Sequence, residues 1–245
     1  MRKLVIIPTY NERENIEAMI EKVMSLTGDF DLLIIDDGSP DGTAEVVRNY
    51  QQCYSTRLYL IERSGKQGLG TAYLTGFRWG LERGYDCLCE MDCDFSHNPD
   101  DLERLTTAID EGADVAIGSR YVKGVNVVNW PMSRLMISYF GSKYVRLVTG
   151  MPVHDTTAGF VCYRRTALDR IDLDQVRMKG YGFQIEMKYT AWRLGLRLQE
   201  VPIVFTERRK GASKMSGGIV REALFGVIGL RFRSFRPRTQ TPKQN

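Results

Sequence analysis

The sequence predicts an α/β domain built on a mainly parallel central sheet with covering helices. Over the first half, short apolar runs alternate with segments of helical period, the signature of strand–helix–strand units. The ends of three of those runs carry loops rich in Pro, Asp, Gly and Asn: Pro8–Asn11, Asp36–Gly42 and Asp92–Pro99. A chain of 245 residues, 43% hydrophobic and 26% charged, also suits one sizeable domain with an appendage.

The elements follow in order. Leu4–Pro8 reads as the first strand, and Asn11–Leu26 as a helix whose Ile16, Met19, Ile20 and Val23 fall three and four apart on one buried face. Leu32–Asp36 is the second strand, and Gly42–Tyr50 the helix entered through Asp41. Strand Leu58–Glu62, helix Leu69–Arg83, strand Cys87–Met91, helix Asp100–Glu111 (opened by Pro99) and strand Val115–Gly118 complete the regular half. Beyond it, the Met- and Tyr-rich stretch Met132–Val148 reads as a helix and Phe160–Tyr163 as a strand. Gln184–Leu194 is a further helix, Leu198–Phe205 a strand and Ile219–Leu230 an amphipathic helix running into the basic end Arg231–Arg238. The domain division is 1–218 for the α/β unit and 219–245 for the amphipathic helix and basic tail. In open α/β sheets ligands bind beyond the carboxyl ends of the strands, so the three loops converge on one crevice.

Net charge is +4, unevenly spread. From Glu207 onward ten Lys or Arg face two Glu, a balance of +8, which leaves −4 for the rest. Such a tail seeks an anionic partner: phosphate, membrane or nucleic acid. No stretch approaches the ~20 apolar residues that cross a bilayer. The N-terminal Met1–Pro8 lacks a long enough apolar core for a signal peptide. The expected location is the cytosol or the cytosolic face of a membrane. Cys53, Cys87, Cys89, Cys93 and Cys162 form an odd, unframed set that suits reduced thiols. Cys87 and Cys89 have no His at ligand spacing and read as core thiols rather than a zinc site.

The most informative segment is Met91-Asp92-Cys93-Asp94-Phe95-Ser96-His97-Asn98-Pro99. Alternation along a strand sends Asp92 and Asp94 the same way. Two like charges so placed repel unless a cation or a proton intervenes, and a hard divalent metal, Mg2+ or Mn2+, is the usual resolution. Asp36-Asp37-Gly38-Ser39-Pro40-Asp41-Gly42-Thr43 offers a tight turn, with Asp36 or Asp37 reaching a base or ribose edge. Ser64-Gly65-Lys66-Gln67-Gly68 can bring N–H groups toward phosphate, but fits neither the P-loop nor the dinucleotide spacing.

Together these segments resemble a known family. Pro8-Thr9-Tyr10-Asn11-Glu12, the Asp36–Thr43 segment, the Asp92–Pro99 segment and Gly118-Ser119-Arg120-Tyr121, in this order, resemble family 2 glycosyltransferases with the GT-A fold, a Rossmann-like α/β architecture. His154-Asp155-Thr156-Thr157-Ala158-Gly159-Phe160, Gly180–Met187 and Gly211-Ala212-Ser213-Lys214 narrow the likeness to dolichol- and polyprenol-phosphate mannose synthases, over about Lys3 to Gly218.

The resemblance implies inverting, metal-dependent transfer of mannose from GDP-mannose to the phosphate of a polyprenyl lipid. By motif position, Pro8, Tyr10, Glu12, Ile35 and Asp37 would hold the nucleoside. Asp92, Asp94 and Ser96 would hold the metal, with backbone groups of Cys93, where many relatives have Ala, touching the nucleotide. Arg120, Arg134 and Ser138 would contact the acceptor phosphate, and Arg208 and Lys214 would close over the diphosphates. A phosphate monoester, with a second pKa near ~6, is ionised at pH 7 and needs no general base, so His97 and His154 read as turn or packing residues. The segment 219–245, with Ile219, Leu224, Val227, Ile228, Leu230, Phe232 and Phe235 among arginines, reads as an interfacial element for an anionic membrane surface. Two other readings stay open: a same-fold enzyme using UDP-glucose, and a nucleic-acid-binding protein using the basic tail. Against the latter, the tail lacks aromatic interleaving on a strand platform, so no nucleic-acid partner is expected.

Overall fold

The computed structural model describes residues 1–178, 180–207, 226–233, 235, 237 and 238. The expected elements form with small shifts at their ends. They are β1 (Lys3–Thr9), α1 (Arg13–Met24), β2 (Phe30–Asp36), α2 (Thr43–Gln51), β3 (Leu58–Glu62), α3 (Leu69–Glu82), β4 (Cys87–Glu90), α4 (Asp101–Asp110) and β5 (Val115–Ser119). The irregular half adds β6 (Val127–Val128), α5 (Met132–Thr149), β7 (Val161–Arg164), α6 (Arg165–Arg170), α7 (Gly180–Arg193), β8 (Leu198–Pro202) and β9 (Phe205–Thr206). Residues 226–232 are helical.

Seven strands make one sheet in the order β3-β2-β1-β4-β7-β5-β8. The pairs β1–β2, β1–β4, β2–β3 and β5–β8 are parallel; β7 alone runs against its neighbours β4 and β5. The order reverses between β1 and β4, which opens a crevice at their carboxyl ends. Ile16, Met19, Ile20 and Val23 are fully buried, as their spacing requires. Helix α3 lies close on the other face because Gly76 and Gly80 present no side chain there. A methyl group at Gly76 would stand 2.6 Å from Ile6, and one at Gly80 the same distance from Leu88.

Three sequence expectations are corrected. The segment Leu198–Phe205 is two strands in different sheets. Pro202 has no N–H for a ladder, and β9 leaves to pair with β6. The strand before the acidic segment ends at Glu90, so Asp92 and Asp94 sit in a turn in which Phe95 takes a φ of +58°. They converge through that turn, not through strand alternation. Finally, antiparallel pairing sets Cys89 opposite Cys162 with Cα atoms 4.0 Å apart, joined as a cross-strand disulfide. Cys53, Cys87 and Cys93 remain free thiols. Spacing along the chain gives no hint of that register.

Helix α5 is unusual in burying only Ser142, Val145 and Thr149. Met132, Met136, Ile137, Phe140 and Leu147 are exposed along it. Of the C-terminal helix, Val227 and Leu230 are buried in the core while Ile228 and Phe232 face outward. Arg233 pairs with Glu186, and Phe235 packs edge-on against Tyr189. No helix of the described residues is long and apolar enough to cross a membrane.

Candidate active site

Beyond the carboxyl ends of β4 and β5 lies a cavity of about 390 Å³. Asp92, Asp94 and Ser96 line it, as do Arg120, Trp130, Arg134, Ser138 and Glu207. Ile137, Gly141, Tyr144 and Val145 of α5, with Leu69 of α3 and Ile185 of α7, supply an apolar arm of the lining.

The acidic part of the lining is built by its turn. Asp94 is buried and accepts from both the N–H and the hydroxyl of Ser96. Asp92 keeps a 41% exposed side chain, and its N–H donates to His97 Nδ1 at 3.3 Å. His97 is buried, stacked on Phe160 and edge-on to Phe205. Burial presses its pKa down to about 4, outweighing the pull of Asp94, so the ring is neutral and accepts that hydrogen bond. It is a packing residue, as the sequence reading has it. Two carboxylates and a hydroxyl facing one cavity are hard oxygen donors, a set that fits Mg2+ or Mn2+ completed by water or phosphate.

The cationic part of the lining depends on two ion pairs. Arg120 is gripped by Asp155 through Nε (2.6 Å), a terminal nitrogen (2.6 Å) and the main-chain N–H (2.9 Å), and also donates to Thr157 Oγ1. Burial alone would raise the pKa of Asp155, but the guanidinium and its hydrogen bonds outweigh that and hold it below the ordinary range. Arg134 donates to both oxygens of Glu207 (2.7 and 2.5 Å). Both guanidiniums lie against Trp130, at 4.3 Å for Arg134 and 5.4 Å for Arg120, and Trp130 rests edge-on against Phe205. Ser138 accepts from the Tyr121 hydroxyl.

The remaining expected residues lie outside this cavity, at the neighbouring ends of β1 and β2. Pro8 pairs with Ile35 in the sheet. The Tyr10 ring carries the Lys66 ammonium 3.9 Å above its centre, which draws the Ser64–Gly68 loop over it. Glu12 precedes α1 and accepts from Asn15. Asp37 is bound by Arg63 Nε at 2.6 Å, whereas Asp36 is committed to Thr9 and Ser39. The side chains of Ile35 and Cys93 are packed in the core, which leaves only their backbones for a ligand. Arg208 and Lys214 lie outside the described residues. Sequence reading assigned no role to Trp130, Asp155, Glu207 or Arg63. Trp130 just before Pro131 at the start of α5 is a legible signal; the others are set by partners far along the chain.

The family model described as "Glycosyl transferase family 2" matches residues 4–172. The chain belongs to glycosyltransferase family 2. Among curated relatives, this transferase is 50% identical over 239 residues to a polyprenol monophosphomannose synthase of Mycolicibacterium smegmatis, covering 97% of this chain and 90% of the relative. It is 50% identical over 227 residues to an undecaprenyl-phosphate mannosyltransferase of Micrococcus luteus, covering 93% of each. A dolichol-phosphate mannosyltransferase of Pyrococcus furiosus is 35% identical over 94% of this chain and 64% of its own length. Among solved structures, the glucosyl-3-phosphoglycerate synthase of Mycobacterium tuberculosis superposes with a TM-score of 0.69 at 19% identity, over 94% of this chain and 80% of that one. That likeness shows the GT-A fold. The chain is therefore a glycosyltransferase of this fold and of the polyprenyl-phosphate mannose synthase type.

Replacing Asp155 with Asn leaves the buried Arg120 charge uncompensated and should cost about 3–5 kcal/mol in a urea titration. Because the folded-state pKa of Asp155 is depressed, its contribution is present above the ordinary value of 3.8 and is lost as pH falls below it. The difference between wild type and Asp155→Asn should shrink over that acid range.

Proposed function

We propose that this enzyme transfers mannose from GDP-mannose to the phosphate of a polyprenyl lipid, with inversion at the sugar C1. The observation that carries the reading is one cavity lined by carboxylates, by a pair of guanidiniums and by apolar groups. A nucleotide sugar fits the first, a phosphate the second and a prenyl chain the third. The 50% identical relatives, named for polyprenol- and undecaprenyl-phosphate mannose transfer, support it.

Pro8, Tyr10, Glu12, Asp37 and the backbones of Ile35 and Cys93 hold the nucleoside beside the cavity. Asp92, Asp94 and Ser96 hold a divalent ion, Mg2+ or Mn2+. When bound, that ion would supply positive charge against the departing diphosphate. Arg208 and Lys214 add cationic groups to the diphosphates. Arg120, fixed by Asp155, and Arg134 orient the acceptor phosphate, with Ser138 beside it; the planar fork of a guanidinium suits that task. For Arg134 this means exchanging Glu207 for phosphate. One acceptor oxygen forms the bond to C1 as the bond from C1 to GDP breaks, and GDP leaves as the anion. An already ionised phosphate has no proton to lose, so the neutral, buried His97 is not required as a base.

Ile137 both lines the apolar arm and continues the exposed face of Met132, Met136 and Phe140 on α5. A prenyl chain leaving the arm passes directly onto that face. The enzyme meets a membrane surface peripherally, through α5 and the 219–245 segment beyond the 1–218 catalytic unit. Arg231 donates to the Thr149 carbonyl and Arg233 pairs with Glu186, so the charge offered to anionic headgroups comes from the other basic residues of that segment. Flotation with anionic vesicles should carry the protein upward; a failure to float, with polyprenyl phosphate still bound, would discard this membrane contact.

The deciding assay supplies short-chain polyprenyl phosphate, Mn2+ or Mg2+, and labelled GDP-mannose beside UDP-glucose. Label should enter the organic phase from GDP-mannose alone, and Asp94→Asn should lower it at least 10³-fold, on the scale of losing about 4 kcal/mol of transition-state stabilisation. Transfer from UDP-glucose alone would reassign the donor. Gly141 lines the arm with open space where a side chain would stand. Gly141→Leu should therefore raise the KM for polyprenyl phosphate about tenfold, the scale of about 1.4 kcal/mol in binding, and leave GDP affinity unchanged.

A further inference from the structure

Behind the cavity wall stands a lysine that the reaction above does not use. Lys188, in the middle of α7, is 0% exposed. Its Nζ donates to the main-chain oxygens of Ala158 (2.6 Å), Gln184 (3.1 Å) and Thr156 (3.4 Å), and to the side-chain oxygen of Gln184 (3.3 Å). Among the described residues the cage is made of carbonyls, with no carboxylate in contact. Burying an ammonium is costly, and an apolar side chain of similar volume fills such a space more cheaply. The charge therefore calls for a use.

What the lysine holds points to one. The carbonyls of Thr156 and Ala158 aim at Nζ. In a trans peptide the N–H of the next residue points the opposite way, and no peptide bond here is cis. The N–H groups of Thr157 and Gly159 therefore point away from Lys188, and Thr157, Ala158 and Gly159 all line the cavity. Among the described residues neither N–H donates to a protein acceptor. Thr157 also receives a hydrogen bond from Arg120, and Asp155, at the start of the same loop, grips that guanidinium. Paired N–H groups beside a fixed guanidinium, with a positive charge behind them, make an anion site.

We propose that the N–H groups of Thr157 and Gly159 bind a phosphate group in the cavity, and that Lys188 is the positioning residue that orients and polarises them. The proximity of Arg120 assigns that phosphate to the acceptor rather than to the donor diphosphate, so the inference rests on the acceptor reading given above. Gln184 extends the arrangement: its Nε2 donates to Glu90 Oε2 at 2.8 Å. A buried chain of hydrogen bonds thus joins the acceptor wall to the strand that leads into Asp92. Burial presses the Lys188 pKa down to about 8, with Arg120 pushing the same way and Glu90, Asp155 and Glu200 pulling it up. The ammonium is charged at pH 7 and lost above that value, where the acceptor phosphate stays ionised.

The test is calorimetric titration of detergent-solubilised short-chain polyprenyl phosphate, and separately of GDP with Mg2+, into wild type, Lys188→Met and Lys188→Gln. Thermal melts verify folding. Both variants should bind the lipid phosphate at least tenfold more weakly and GDP within twofold. Wild type should show the same selective weakening between pH 7 and 9.5, and the variants should not. Unchanged lipid-phosphate affinity in a folded variant would overturn the inference, and a loss shared equally by GDP would overturn its assignment to the acceptor. Should neither variant fold, a wild-type affinity that stays flat to pH 9.5 would overturn it. Wild type that does not bind polyprenyl phosphate would instead remove the acceptor reading itself.

Discussion

The bidentate pair between Arg120 and Asp155 is the contact on which the acceptor half of the cavity depends. It ties the end of β5 to the 154–159 loop, and that loop is in turn tied to β8. The N–H of Asp155 donates to one oxygen of Glu200, and the N–H of His154 to the other. A buried guanidinium tolerates few arrangements, because each lost hydrogen bond exposes an uncompensated charge. The pair therefore fixes the direction in which Arg120 presents itself and the position of Thr157 against it. The packing of His97 between Phe160 and Phe205 does the same for the acidic turn, using neutral aromatic surface instead of charge.

Opposite charges held apart in one enclosure are the working principle of the proposed reaction. The carboxylates suit a metal and a diphosphate, while the guanidiniums suit an incoming phosphate. The acceptor arrives already charged, so the protein has only to orient and neutralise. In that reaction the apolar arm and the bare face of α5 would receive the lipid, with no membrane-spanning helix among the described residues.

Much of this is legible in the primary structure, for identifiable reasons. The strands and helices of the first half follow from periodicity, because each apolar run had to be buried by its neighbours. The Asp92–Ser96 segment marks itself by two carboxylates at a strand end, although a turn, and not the pleat, brings them together. Ile35 and Cys93 show the opposite case: their place in a motif was visible, but burial of their side chains was decided by packing. Asp36 and Asp37 stand side by side in sequence, yet one serves the turn and the other meets Arg63 across the sheet edge.

The sequence by itself determined the fold class, the crevice at the strand ends, the acidic segment and the family. These are carried by local pattern and by short motifs. The tertiary structure alone decided which cations are committed to which carboxylates, the Cys89–Cys162 pairing, the apolar arm along α5 and the buried Lys188. Each depends on groups far apart in the chain, such as Arg120 and Asp155 or Lys188 and Ala158. No local pattern records the partner that makes a buried charge affordable.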